Sequence, residues 1–335
     1  MEDTHISLAH GNGGRLMREL IDEIFAHHLA NPALDVHADA VRLTMDSAEL
    51  MFTTDGFTVD PLEFPGGDIG SLAVHGTCND LAVAGATARY LSLNVFVEEG
   101  MEIQQLDRIV CSLAKASREV DVQIVAGDTK VVRRGEGGGL YLATTGIGSC
   151  DHDRELGMNR IRAGDAVLVS GPLGDHGIAV MLAREQFGLQ GKLLSDAACV
   201  LPLTRELLNF SGLRFMRDPT RGGLAAVTHE MIRATGLSVR LQQAAIPVRE
   251  EVQSVCEMLG YDPFYLASEG RVIAVIERGQ ADAALAVWQA LPQGRSAAII
   301  GSLEEEGLQR VVLETALGGE RFLEELEDDP LPRIC

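Results

Sequence analysis

The sequence predicts a mixed α+β protein built from two successive α/β-type units and closed by a tail. Three observations point there. Apolar runs of strand length alternate with segments of helical period in both halves of the chain. Glycine-rich turns open small-residue helices in both halves. The pattern stops near Glu324, where the acidic, proline-containing stretch EELEDDPLPRIC begins. A chain of 335 residues suits two domains of ordinary size. With aromatic residues at only 4%, the core must be mainly aliphatic.

The first unit is read as residues 1–155. In GRLMRELIDEIFAHHL, Leu16, Leu20, Ile24 and Phe25 recur at helical spacing. AELMFTTDGFTV reads as a strand entering an acidic loop, and GGDIGSLAVHGTCNDLAVAGA as a helix of small residues able to approach a sheet closely. ARYLSLNVFVE, VQIVAGDTKVV and GLYLATTGIGS are strands, with the helix IQQLDRIVCSLAKASREV between the first two. The second unit is read as 156–323. DAVLVSG, SVRLQQAAIPV, ASEGRVIAVIE and SAAIIGSLEE are its strands; DHGIAVMLARE, DPTRGGLAAVTHEMIRATG and QADAALAVWQAL hold its helices. Residues 324–335 form the tail. Pro330 and Pro332 disfavour helix there, so an extended, mobile arm ending in the thiol of Cys335 is expected.

A formal net charge of −21 argues against nucleic-acid or anionic-membrane surfaces. It leaves room for a nucleotide bridged to carboxylates by Mg2+. No stretch is long and apolar enough to span a bilayer. The N-terminus lacks a basic segment followed by an apolar run, so a cytoplasmic location is expected. The six cysteines are scattered with no CxxC pair, which disfavours a zinc ribbon or a disulfide framework.

Asp46, Asp55, Asp80 and Asp128 fall at the ends of predicted strands or in turns, beside small residues. Converging carboxylates repel unless a cation or proton lies between them, and hard oxygen donors favour Mg2+ shared with substrate phosphates. Taken singly, each is equally a capping residue. HGNGG (10–14), SGPLGDHG (170–177) and DPTRGG (218–223) are glycine turns whose backbone N–H groups suit phosphate, although none has the Walker A pattern. Lys130 stands two residues after Asp128, on the same strand face. The pair fits metal and phosphate side by side, or a surface ion pair of small worth. Glu269, in a turn entering an apolar strand, is a candidate general base or a solvated turn acid.

Taken together, HGNGGRLMRELI, TTDGFTVDPLEFPGGDIGSLAVHGTCNDLAVAGA, VAGDTKVV, RDPTRGGLA, ASEGR and the terminal PRIC resemble the HypE family of hydrogenase maturation factors, within the PurM-like ATP-using superfamily. The resemblance runs from residue 8 to 335, and Pro-Arg-Ile-Cys is its most specific part. It implies a PurM-like two-domain fold. The N-terminal domain would form a dimeric β-barrel with its copy, and the C-terminal α/β domain would fold over it, with ATP in the cleft between domains. It further implies that Cys335 receives a carbamoyl group from a HypF-type carbamoyltransferase. ATP then drives dehydration of the thiocarboxamide to a thiocyanate, and the cyanide passes to iron on a HypC–HypD scaffold for [NiFe]-hydrogenase.

By position in these motifs, the resemblance makes Asp46, Asp55, Asp80 and Asp128 the Mg2+ ligands. Gly11, Gly13, Gly14, Asp55, Asp80, Asp128, Lys130, Asp218, Arg221 and Gly222 would hold ATP. Cys335, Glu269 and Lys130 would be catalytic. Three departures from the family pattern stand out: Gly56 after Asp55 where serine is common, Ser268 where asparagine is common, and Met45 in place of one aspartate before Asp46. Two rival readings remain at this level. One is a PurM-like kinase or synthetase acting on a free small molecule; the other is a non-catalytic scaffold docking through its acidic tail.

Overall fold

The computed structural model describes residues 4–11, 15–34, 50–150, 152, 155–184, 192–305, 309–315 and 317–325. Asp46, Gly13, Gly14 and Cys335 lie outside the described residues, as does the tail from 326 onward. The chain divides into two compact units with the break in sequence after residue 151; the short stretch Ala82–Gly85 groups with the second.

In the first unit, α1 (Arg15–Leu20) runs through a π-helical turn (Ile21–Ala26) into α2 (His27–Leu29). Then come β1 (Leu50–Phe57), the small hairpin β2 (Glu63–Phe64) and β3 (Gly67–Asp68), α3 (Ile69–Val83), β4 (Thr87–Glu98), α4 (Ile103–Glu119), β5 (Gln123–Val132) and β6 (Leu140–Ser149). Four strands form one sheet in the order β1-β6-β4-β5, antiparallel except for the β4–β5 pair. On α4, Leu106, Ile109, Val110 and Leu113 recur at helical spacing and are buried. Helix α3 has no such stripe; its small residues let it approach its neighbours closely. A Cβ on Gly70 would lie 2.4 Å from the Ile109 carbonyl oxygen, so the two helix backbones come together there. The other face of the sheet carries exposed apolar side chains: Leu50, Phe52 (70% exposed), Phe96 and Tyr141.

The second unit comprises β7 (Ala166–Val169), α5 (Asp175–Ala183), α6 (Leu201–Leu207), β8 (Leu213–Arg217), α7 (Gly223–Thr235), β9 (Ser238–Gln242), α8 (Glu250–Leu259), β10 (Ile273–Ile276), α9 (Arg278–Ala290), β11 (Ala298–Glu304), β12 (Val311–Glu314) and β13 (Glu320–Phe322). Its seven strands run β13-β12-β9-β11-β7-β10-β8. Alternate residues of the central strands feed two cores. Val167, Val169, Ile273 and Val275 pack with Leu224 and Met231 of α7; Ala166, Leu168, Ala274 and Ile276 pack with Leu203 of α6 and Trp288 of α9. Burial on both faces explains why β7 and β10 read as unbroken apolar runs. The strand expected over 238–248 ends at Gln242 and turns into a 3-10 segment at 243–245.

After β13 the chain is held down. Leu323 is buried and donates its N–H to the Val311 carbonyl at 3.0 Å. The His229 ring bonds the Leu323 carbonyl at 2.8 Å, the Tyr265 hydroxyl donates to the Glu324 carbonyl at 2.7 Å, and Arg233 pairs with Glu325. The stretch expected to be free from 324 is therefore pinned through 325. Among the described residues, no helix is long and apolar enough to cross a membrane.

Candidate active site

Two groups of predicted site residues emerge, one in each unit. In the first, Asp55 lies within β1 and Asp80 within α3, rather than at strand ends or in turns. Thr53, Asp55 and Phe57 alternate onto the face of β1 that meets α3. The Thr53 hydroxyl donates to Asp80 Oδ2 at 3.0 Å; a Cβ on Gly76, one helical turn before Asp80, would lie 3.9 Å from Asp55 Oδ2. A two-residue strand step of about 6.6 Å is close to one helical turn, so Thr53 and Asp55 of β1 meet successive turns of α3 and both carboxylates lie along this seam. They are hard donors suited to bracketing a cation held also by phosphate. Among the described residues no group of three or more His, Cys, Asp or Glu side chains is placed to hold a metal on its own.

Asp128 and Lys130 belong to the opposite face. Asp55 is registered with Thr144 of β6, which aligns with Leu93 of β4 and Gly127 of β5. Asp128 is registered with Asn94, one residue on, and side chains alternate across a sheet. The expected convergence of these aspartates thus does not occur within the described part of one chain: Asp55 and Asp80 share a seam, while Asp128 points away from it. Asp128 and Lys130 pair at 3.3 Å, both more than half exposed. Gly11 closes a 3-10 turn, Leu8–Gly11, next to the fully buried His10.

In the second unit, the two glycine turns close on one loop. The Gly174 N–H donates to Ser268 Oγ at 2.8 Å, and the Gly177 N–H to the Ala267 carbonyl at 3.1 Å. From the other turn, the Pro219 carbonyl accepts the Ser268 N–H at 3.0 Å. Ser268 is fully buried, and its hydroxyl is satisfied by the Gly174 backbone N–H. Gly222 and Gly223 have φ of +69° and +60° at the start of α7, where a Cβ on Gly223 would lie 2.6 Å from the Phe264 carbonyl. Asp218 is buried beside this turn and Arg221 is exposed. Glu269 is 6% exposed and donates its backbone N–H to Asp196 Oδ1 at 3.1 Å. It is therefore no solvated turn acid.

Gly270 allows no side chain, because a Cβ would sit 1.9 Å from the Asp196 carbonyl oxygen. Gly270→Ala is expected to destabilise the second unit by about 1–3 kcal/mol. Its urea midpoint should fall, and an unchanged midpoint would mean that the 195–198 segment yields freely. Buried His176 bonds Ser195 Oγ through Nδ1 at 2.8 Å, and burial pushes its pKa down to about 4. An imidazole neutral in the fold but protonated when unfolded loses stability as pH falls from 6.5 to about 4, by about 3 kcal/mol. Urea midpoints should therefore favour His176→Asn over wild type increasingly across that window, relative to pH 7.5.

Asp175, Asp196, Arg249 and Arg271, which surround the Glu269 loop, escaped the sequence reading. Burial raises the carboxyl pKa of both aspartates, that of Asp196 to about 6 despite Arg271 beside it. The available signal was Arg271 itself: a charge opening the wholly apolar run VIAVI requires a buried partner.

Two family models cover the chain. The AIR synthase related protein, N-terminal domain, matches residues 37–150, and its C-terminal domain matches 162–314. The carbamoyl dehydratase HypE of Azotobacter vinelandii is 43% identical over 331 residues, spanning 98% of this chain and 97% of that protein. The chain belongs to the HypE family. A crystal structure of HypE in complex with ATP matches with a TM-score of 0.93 and 44% identity, over 98% of this chain and 99% of that one. A HypE–HypF complex matches at 0.80 and 39%, over 92% and 99%. The HypE family thus accounts for the PurM-like pair of mixed helix-and-sheet domains that the motifs implied.

Proposed function

We propose that this HypE-family chain is an ATP-dependent carbamoyl dehydratase acting on its own Cys335, in the cytoplasm, to supply cyanide for the iron of [NiFe]-hydrogenase. The likeness to carbamoyl dehydratases over nearly the whole chain carries this reading. The thiol takes a carbamoyl group from a HypF-type carbamoyltransferase; a relative solved with HypF supports that partner. Transfer of the γ-phosphoryl of ATP to the thiocarboxamide oxygen, with loss of one nitrogen proton, turns a poor leaving group into phosphate. Breaking the C–O bond, with loss of the second proton, leaves S–C≡N, ADP and phosphate. A HypC–HypD scaffold then receives the cyanide.

Asp55 and Asp80, with Asp46, would hold Mg2+, which neutralises phosphate charge during transfer. Asp128 stands on the other sheet face and is not part of that set within one chain; paired with Lys130, it would position the ammonium that stabilises the phosphoryl or carbonyl oxygen. Gly11, Gly13, Gly14, Asp218, Arg221 and Gly222 would cradle the nucleotide through backbone N–H groups and charge. Glu269, shielded from water, takes the nitrogen proton. The exposed apolar sheet face bearing Phe52, Phe96 and Tyr141 supports homodimer formation through that face.

The deciding measurement is intact-protein mass spectrometry after incubation with carbamoyl phosphate, the carbamoyltransferase, Mg2+ and ATP. A gain of one carbamoyl group followed by loss of one water, both mapped to Cys335, is the expected sequence. Carbamoylation with no subsequent water loss refutes the dehydratase assignment.

A further inference from the structure

Four charged side chains run in line behind Glu269. Arg249 Nε donates to Asp175 Oδ2 at 2.8 Å, and an Arg271 guanidinium nitrogen reaches the same oxygen at 3.5 Å. Arg271 Nε stands 3.2 Å from Asp196 Oδ2 and donates to the Pro172 carbonyl at 2.9 Å. Asp196 Oδ1 then accepts the Glu269 N–H. The Asp196 side chain is 1% exposed, although its backbone reaches solvent. Two aspartates and two arginines balance in charge, but taking each ion out of water costs several kcal/mol. An apolar cluster would fill the same space without that cost, so stability alone does not explain the line.

The contacts show what it holds. Asp196 meets three consecutive residues: its Oδ1 accepts the N–H of 269, its Oδ2 forms an ion pair with the guanidinium of 271 without a hydrogen bond, and its carbonyl lies against Gly270. A shift of the chain at Glu269 would break its N–H bond to Asp196 and strain the neighbouring buried Arg271–Asp196 ion pair. We propose that Asp196 is a positioning residue for dehydration, fixing the backbone of Glu269 so that its carboxylate meets the nitrogen proton of the sulfur-bound carbamoyl group. This rests on the reading of Glu269 as the base.

The test is single-turnover dehydration of protein carbamoylated beforehand, followed by intact mass across a range of ATP concentrations. Asp196→Ala, Asp196→Asn, Ser195→Ala and Glu269→Gln are compared with wild type. Asp196→Ala is expected to slow water loss at saturating ATP by about 100-fold, the effect of a small misplacement of a reacting group. The ATP concentration for half-maximal rate should stay within about twofold of wild type, since no nucleotide contact is lost. Asp196→Asn keeps an oxygen for the Glu269 N–H and should recover part of the rate. Ser195→Ala, which removes the bonds to His176 and to the Ala197 N–H but none to the Glu269 loop, should run near wild type.

If Asp196→Ala does not fold, Asp196→Asn decides: a slower rate at unchanged ATP dependence supports the proposal, and a wild-type rate overturns it. Wild-type rates in both Asp196 variants while Glu269→Gln is blocked overturn the positioning role alone. A Ser195→Ala rate as low as that of Asp196→Ala also overturns it, because the effect would then be general disturbance of the segment. Normal dehydration by Glu269→Gln removes the base assignment and this inference with it.

Discussion

Cys335→Ala should bind ATP as wild type does and yield neither a carbamoylated nor a cyanated chain. The sulfur is the atom that bonds to carbon throughout the proposed sequence, and alanine offers no nucleophile. Two of the other cysteines cannot replace it, and exposed Cys111 is fixed in the middle of α4. Cys78 and Cys256 are buried, and burial pushes the Cys256 thiol up to about 12, far from the thiolate a carbamoyl acceptor requires. The loss should be complete within the sensitivity of intact-mass detection, while calorimetric ATP binding stays within about twofold. A PurM-like kinase acting on a free small molecule would be indifferent to this change. Cyanated product from the variant would therefore take the thiol out of the mechanism.

Glu269→Gln should stall the reaction one step later. The carbamoyltransferase still modifies Cys335, so the carbamoylated chain accumulates, but water loss slows by about 10²–10⁴-fold, the usual contribution of a positioned base. Glutamine keeps the size and the backbone N–H bond to Asp196 and removes only the proton-accepting charge. Fold and ATP affinity should hold, which separates this outcome from that of Gly270→Ala, where the second unit itself loosens. The mass of the stalled chain identifies the blocked step. Normal conversion would transfer the base role elsewhere.

Much of this arrangement was legible in the sequence, for reasons that differ between residues. The strand pieces around TTDGF, AVLVS and VIAVI are apolar runs of the right length, and the helical period of IQQLDRIVCSLAKASREV gave its buried face directly. The placement of Asp55 against α3 was available from alternation, since Phe57 two residues on is plainly a core residue. The sides of the sheet taken by Asp55 and Asp128 were not, because they depend on strand order and register, which are set by long-range pairing. Asp196 lies 73 residues from Glu269 in an unremarkable segment; only the folded chain shows that its carboxylate serves that loop. The short elements β8, α6, β12 and β13 span too few residues for a period to declare itself. Helix α8 is a plainer omission, since Val252, Val255 and Cys256 repeat at helical spacing.

The anchoring of the chain at Leu323–Glu325 bears on how small rivals would fare. Ten residues separate Glu325 from Cys335, and they can span at most about 33–36 Å. A group confined to a sphere of that radius is present at an effective concentration of about 10 mM. A freely diffusing thiocarboxamide would need to reach comparable levels before it competed with the tethered one. The enzyme's selectivity for its own tail is in that measure a matter of chain length from a fixed point, and loosening the Tyr265 and His229 contacts would dilute the substrate without touching the chemistry.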